Sequence, residues 1–249
     1  YVTGEWNTGF VISDEFGNKF AWVPVGWLEN NGTLDGISFD SKFGLRNWYN
    51  YDFSQNGWHE TVPKNIVESI NEWGGFYFAC YTASLEKENV VFKKGNLPLI
   101  EMTYNEVLEY EAAFQTNTEE VNHCLMLGSA YDSLCQWLIQ SGTKTKNEIL
   151  DDSTDLGNYA NNEKYHSKVE AVELLPTGHN EDWCINNIYD LAGNVMEFTQ
   201  EQHSDDRIVL RSGNYRVVGR YYPIADRYFR EPPTRKVNLA GFRSMLFHK

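Results

Sequence analysis

Over the first half of the chain, short apolar runs alternate with turns rich in Gly and Asn. Gly9–Ser13 and Lys19–Val25 flank the polar stretch Asp14–Asn18, a pattern that predicts a β-hairpin. Residues 29–58 are polar and rich in Gly, Asn and Tyr, which predicts a long surface loop. The period then changes. Ile66, Val67, Ile70 and Trp73 recur at helical spacing, Pro63 suits a first turn and Gly74-Gly75 supplies a stop, so residues 61–73 read as a helix. Phe76–Tyr81 follows as a strand. Thr103-x-x-Glu106 is a capping box ahead of Val107, Leu108 and Tyr110 and predicts a second helix. A third is expected over 129–141, with Leu134, Trp137, Leu138 and Ile139 along one face, and Thr145-x-x-Glu148 opens a short helical turn. Residues 151–182 are irregular, and from Ile188 short strands and turns return. Strands at both ends with helices between them predict one α+β domain over 1–249, with mixed short strands, a few helices and long irregular loops.

The chain has 249 residues, 41% of them hydrophobic and 15% aromatic, which is ample for a packed core. Its apolar runs are too short to cross a bilayer, so no membrane insertion is expected. It begins at Tyr1 with no initiator Met, as expected of a trimmed or processed chain. Cys80, Cys124, Cys135 and Cys184 form no C-x-x-C pair and read as buried free thiols, with pairing between distant cysteines left open. His59, His123, His166, His179, His203 and His248 show no spacing of the H-x-x-x-H kind that would gather a metal.

Charge is distributed unevenly. Residues 207–249 hold ten of the 21 Lys and Arg but only two of the 35 acids, Asp226 and Glu231, so the preceding 206 residues carry 11 basic and 33 acidic side chains. Tyr215, Tyr221, Tyr222, Tyr228 and Phe229 lie among those arginines. Arg and Tyr are enriched in binding hot spots and paratopes, so the segment reads as a surface that touches a partner. The alternative is that its arginines pair with the acidic body of the same chain and its tyrosines belong to the core. The net charge of −14 and the absence of a nucleic-acid motif argue against a nucleic-acid partner.

Asn187-Ile188-Tyr189-Asp190-Leu191-Ala192-Gly193-Asn194-Val195-Met196-Glu197-Phe198 resembles the N-x-Y-D-x-x-G-N-V-W-E-W segment of the formylglycine-generating-enzyme-like (sulfatase-modifying-factor) family. That family is a branch of the C-type lectin fold. Met196 and Phe198 stand where Trp is usual. Gly75–Phe78 is similar to the family's "GFYIG" strand, Arg211–Tyr215 to its "RGGSW/Y" turn and Gly241-Phe242-Arg243 to its terminal "GFR". Thr8–Ile12 and Phe20–Val25 look like a variant found in bacterial and prophage proteins. The motifs recur in order over nearly the whole chain, and the resemblance implies the C-type lectin fold.

Enzymes of that family oxidise a cysteine using two copper-binding cysteines placed after the "GGS" turn. Here Tyr215–Tyr222 holds no thiol, so an oxidoreductase of this type is the disfavoured alternative and no catalytic residue is expected. The family's calcium site carries over in part: the resemblance places side-chain oxygens at Asp190 and Glu197 and backbone carbonyls at Gly193 and Val195. No cofactor is required, with Ca²⁺ as the one candidate.

The chain also resembles the variable proteins of diversity-generating retroelements, which use this fold to present alternative binding surfaces between a "GGS"-like turn and a "GFR"-like strand. That interval corresponds here to 214–238. The resemblance implies a non-enzymatic ligand- or receptor-binding display protein, on a phage tail or a bacterial surface, whose partner is a host or cell-surface protein or glycan. The expected contact residues are Tyr215, Arg216, Val218, Arg220, Tyr221, Tyr222, Asp226, Tyr228, Phe229 and Arg235, with Arg211, Gly213, Gly241, Phe242 and Arg243 as framework.

Overall fold

The computed structural model describes residues 2–3, 8–25, 58–116, 119–166, 172–203 and 207–249. The loop expected at 29–58 lies outside these residues except for Trp58. In chain order the elements are β1 (Val2–Thr3), β2 (Val11–Ser13), β3 (Lys19–Pro24), β4 (Trp58–His59), α1 (Lys64–Trp73), β5 (Gly75–Ala79), β6 (Ser84–Glu86), β7 (Asn89–Val91), α2 (Tyr104–Ala113) and β8 (Val121–Leu125). Then come α3 (Gly128–Gln140), α4 (Lys146–Leu150), α5 (Glu163–His166), β9 (Cys184–Ile185), β10 (Ile188–Tyr189), β11 (Met196–His203), β12 (Ile208–Arg211), β13 (Arg227–Glu231), β14 (Ala240–Phe242) and β15 (Ser244–His248). The class is mixed α+β, with several small sheets and few helices.

The hairpin forms where alternation predicts it, with Val11 opposite Ala21 and Ile12 opposite Phe20. Asp14 sets its turn: the carboxylate accepts from Asn18 N at 2.8 Å and from Asn18 Nδ2 at 2.6 Å. Strand β3 then enters a six-stranded sheet of order β1-β2-β3-β5-β15-β8. Period-two alternation puts Ala21, Val23, Phe76, Phe78 and Met245 on one face, and Phe20, Ala79, Val121, Leu125 and Leu246 on the other. Each face has its own core, which is why β3 and β5 read as nearly unbroken apolar runs.

A second sheet of order β13-β12-β11-β14, with β4 also on β11, packs Phe198, Ile208, Leu210 and Phe242 into the second of those cores. Its β11–β14 pair is parallel and the other pairs are antiparallel.

Helix caps follow the local sequence. Thr103 and Glu106 exchange the two capping-box bonds of α2 at 3.2 and 2.8 Å, and Thr145 and Glu148 do the same for α4 at 3.2 and 2.7 Å. Helix α1 starts later than expected, with Pro63 at the N-cap position, and ends on Gly74 at φ +77°. Helix α3 differs more: its residues from Gly128 to Leu138 are all buried rather than one stripe, because it packs on both β3 and β11. It therefore carries Asp132 into the interior.

The segment matching the twelve-residue motif is a chain of tight turns. Asn187, Asp190, Gly193 and Asn194, with Asn186 just before them, all take left-handed backbone angles, with φ between +48° and +68°. Asn and Asp tolerate that region better than other side chains. Gly193 has a second constraint, since a Cβ there would lie 2.3 Å from the Asn158 carbonyl oxygen. The Asn194 side chain closes the arrangement: its oxygen accepts from Leu175 N at 3.0 Å and Asn158 Nδ2 at 3.1 Å, while its nitrogen donates to Leu175 O at 3.0 Å. No helix among the described residues is long and apolar enough to cross a membrane.

Candidate functional site

The cationic segment divides into two populations. Arg211, Arg227 and Arg243 point inward and are almost fully buried. Arg211, at the end of β12, donates from Nη2 to Asp132 Oδ1 at 2.7 Å and from Nη1 to Glu201 Oε2 at 3.3 Å. Arg227, at the start of β13, donates from Nε to the two Glu201 oxygens at 2.9 and 3.0 Å and from Nη2 to Asp132 Oδ2. Two guanidinium and two carboxylate groups thus form a neutral buried quartet, with the Tyr131 ring 4.6 Å from the Arg211 guanidinium carbon. Arg243 forms a separate set: its Nε donates to Glu197 Oε1 at 2.5 Å, and its terminal nitrogens donate to the carbonyls of Ala79 (3.0 Å) and Tyr189 (2.5 Å). Charges this deep are retained only when their partners are in place.

Between those anchors, residues 212–226 form successive turns held from beneath. Tyr215 N donates to Asn194 O at 3.1 Å, Ala160 N to Val217 O at 3.0 Å, Gly219 N to Asn161 Oδ1 at 3.0 Å and Tyr159 Oη to Tyr222 O at 2.7 Å. Ile224 N and Ala225 N donate to Ser153 Oγ and Ile149 O, at 2.9 and 3.1 Å. The inner side of the loop is therefore bonded to residues 149–161 and to the 194 turn, and side chains leave from the outer side.

The second population faces solvent. Arg216, Arg220, Tyr221 and Arg235 are exposed, Tyr221 by 49%. Val218, Tyr222, Asp226, Tyr228 and Phe229 are half-buried. Tyr222 and Tyr228 lean on the second core, and Phe229 lies 4.4 Å from the His203 ring. Tyr215, expected among the contacts, is instead 8% exposed, because its amide is fixed to Asn194 and its ring is drawn under Arg216. Burial pushes the Asp226 carboxyl up to about 7, and the nearby Arg211 and Arg227 offset only part of that effect.

Beside this loop lies an open cleft of about 340 Å³, lined among others by Asn214, Tyr222, Tyr228, Glu231, Arg235 and Lys236. Glu231 is its acidic member, accepting from Tyr228 Oη at 3.0 Å and facing Arg235 Nη1 at 3.1 Å. Glu231 and Lys236 line this cleft but are not among the contact residues expected from sequence. The available signals were the i, i+4 spacing of Glu231 and Arg235 and the scarcity of acids in the segment, where Glu231 is one of two. A larger cleft of about 490 Å³ lies on the first sheet, between Ile12, Phe20, Tyr77 and Leu246, and holds none of the expected contact residues.

The cysteines do not resemble reactive groups. Burial pushes Cys80 and Cys135 up to about 12 and also raises Cys124 and Cys184, so all four are thiols rather than thiolates at neutral pH. No group of three or more His, Cys, Asp or Glu side chains suited to a metal occurs among the described residues.

Of the expected calcium ligands, Asp190 and Glu197 are both buried. Burial raises both Asp190 and Glu197, Arg243 opposes the shift at each, and the Asp190 charge adds to it at Glu197. Glu197 Oε2 is buried and has no hydrogen-bond partner among the described residues, whereas Asp190 Oδ2 accepts from Gly178 N at 2.7 Å. The unpartnered Glu197 oxygen is the one observation here that a hard cation would answer, while the other oxygen of the same carboxylate is held by Arg243.

No protein-family model and no curated sequence matches the chain. Among solved structures, PvdO from Pseudomonas aeruginosa superposes with a TM-score of 0.52 at 11% identity, covering 97% of this chain and 98% of its own, a likeness of fold alone. Variable protein 1 of Treponema denticola matches at a TM-score of 0.34 and 19% identity, over 67% of this chain and 62% of its own, an overlap too slight to carry an argument.

Proposed function

We propose that this chain is a non-catalytic binding module of the C-type lectin type, in its formylglycine-generating-enzyme-like form, that presents the 214–238 surface to a receptor. One observation carries the reading. Arg216, Arg220, Tyr221 and Arg235 stand exposed on a backbone whose inner bonds and buried quartet are independent of what those side chains are. Such a loop accepts substitution on its outer side without loss of fold, as a display surface requires. The receptor is a host or cell-surface protein or glycan, and the carrier a phage tail or bacterial surface. The protonated, buried thiols favour binding over thiolate-dependent oxidation.

Sequencing sister loci tests this reading. Substitutions should gather at the exposed positions between 214 and 238 and spare Arg211, Arg227 and Arg243. An even spread along the chain, or frequent loss of those three arginines, refutes it.

A structural Ca²⁺ held by Asp190, Glu197 and the carbonyls of Gly193 and Val195 belongs to the same proposal, and its contribution would be to hold the 190–197 turn rigid. Added Ca²⁺ should then raise Tm and a chelator lower it, with the difference lost in Asp190→Asn, a change that the left-handed backbone there accommodates. An unchanged Tm removes the ion from the account.

A further inference from the structure

Arg216 and Arg220 differ from every other arginine of the segment whose partners are described. Arg211, Arg227, Arg235 and Arg243 each meet a carboxylate. Among the described residues, Arg216 and Arg220 meet none, although 35 acids are available in the chain. They are held instead by tyrosines. The Arg216 guanidinium lies 5.1 Å from the Tyr215 ring centre, and its Nε donates to Tyr215 Oη at 3.1 Å. Arg220 lies 4.8 Å from the Tyr221 ring centre, and its Nη2 donates to Tyr221 Oη at 2.8 Å. A phenol hydroxyl occupies one donor of each fork and leaves its charge uncompensated. The backbone beneath is fixed by the bonds of Arg216 N to Asn214 Oδ1 (2.9 Å) and Gly219 N to Asn161 Oδ1 (3.0 Å). These are two oriented guanidinium groups whose ordering cost is largely met before any ligand arrives.

We propose that Arg216 and Arg220 are carboxylate receptors and that the surface takes an acidic patch on a protein. The inference rests on the reading of 214–238 as a binding surface and adds the chemistry of what it binds. A planar fork with free donors matches a carboxylate in two bonds, and the flanking Tyr221, Tyr222 and Tyr228 supply the amphipathic area that protein interfaces use. Arg235 and Lys236, already paired to Glu231 at 3.1 Å and Glu106 at 3.4 Å, extend the positive field without being its receptors. The rest of the molecule selects against dense polyanions. With 33 acidic and 11 basic side chains in residues 1–206, the body repels nucleic acid or a sulfated glycan, whereas a small acidic patch on a protein meets the local cations within a Debye length of about 10 Å.

The test is to pan a library of short random peptides against the immobilised intact protein, and to measure heparin and single-stranded DNA in parallel. Peptides rich in Asp and Glu should be recovered, and the double variant Arg216→Ala/Arg220→Ala should bind them about tenfold to a hundredfold more weakly, with an unchanged unfolding midpoint. Arg216→Lys/Arg220→Lys keeps the charge but should lose most of the gain, because a point charge cannot make two parallel bonds. Peptides that need this surface yet carry no excess of acids would overturn the carboxylate inference and leave the binding surface standing. Tighter binding of heparin or DNA would overturn it in favour of a polyanion. Peptides indifferent both to the arginine variants and to Tyr221→Ala/Arg235→Ala would remove the binding surface itself.

Discussion

Arg211 and Arg216 lie five positions apart in one segment, and the physics predicts opposite outcomes for their loss. Arg211→Met strips two buried carboxylates, Asp132 and Glu201, of a counter-charge they cannot replace from solvent. It should cost about 3–5 kcal/mol, visible as a lowered urea midpoint. Arg216→Ala removes an exposed side chain with no carboxylate partner among the described residues and should change stability by no more than about 0.5 kcal/mol. Asp226 gives a pH signature of its own. Burial raises its folded pKa from 3.8 to about 7, so the folded state holds the proton more tightly than the unfolded chain does. That contribution is fully present below the unfolded value and is lost as pH rises through the folded one. Stability should therefore fall between about pH 4 and pH 7, and Asp226→Asn should flatten that slope in denaturant titrations run across the window.

Among elements, α3 bears the closest packing. A Cβ on Gly128 would lie 2.3 Å from Glu201 Oε2, so Gly128→Ala pushes the helix away from the quartet. It should destabilise by about 1–3 kcal/mol, measured by thermal unfolding, despite the better helix propensity of Ala. The same helix start is capped from a distance, with Glu60 accepting from Gly128 N at 2.6 Å and Ser129 N at 3.0 Å, and nothing in the local sequence announces this. Thr103 and Thr145, by contrast, cap their own helices, and both motifs were legible because capping is decided within four residues. The hairpin was legible for the same reason. Burial of α3 on all sides was not, since its polar members Asp132, Ser133 and Gln136 look like an outer face until the elements that cover them are known. The quartet was hidden by sequence distance: Asp132 is 79 residues from Arg211 and 95 from Arg227. Sequence grouped the arginines by composition and left two readings open. The structure buries Arg211, Arg227 and Arg243 against carboxylates of the same chain and leaves Arg216 and Arg220 exposed. Tyr215 was misplaced at the surface because a backbone bond to Asn194, not hydropathy, turns it inward.

For the molecule as a whole, charge separation governs how any partner approaches. An acidic body carrying a locally cationic face has a dipole that orients an acidic partner during encounter, so rising ionic strength should slow association more than it speeds dissociation. Stopped-flow measurement against the recovered acidic peptides would check this, and a rate indifferent to salt would count against the electrostatic account.

Strand β15, residues 244–248, sits inside the first sheet with β5 on one side and β8 on the other. During synthesis those two neighbours emerge well before the strand that belongs between them, and until it arrives each has an open edge of unbonded amides. A nascent chain therefore cannot bank its sheet as it lengthens. A chain cut before Ser244 should yield an aggregate rather than a shortened but folded protein.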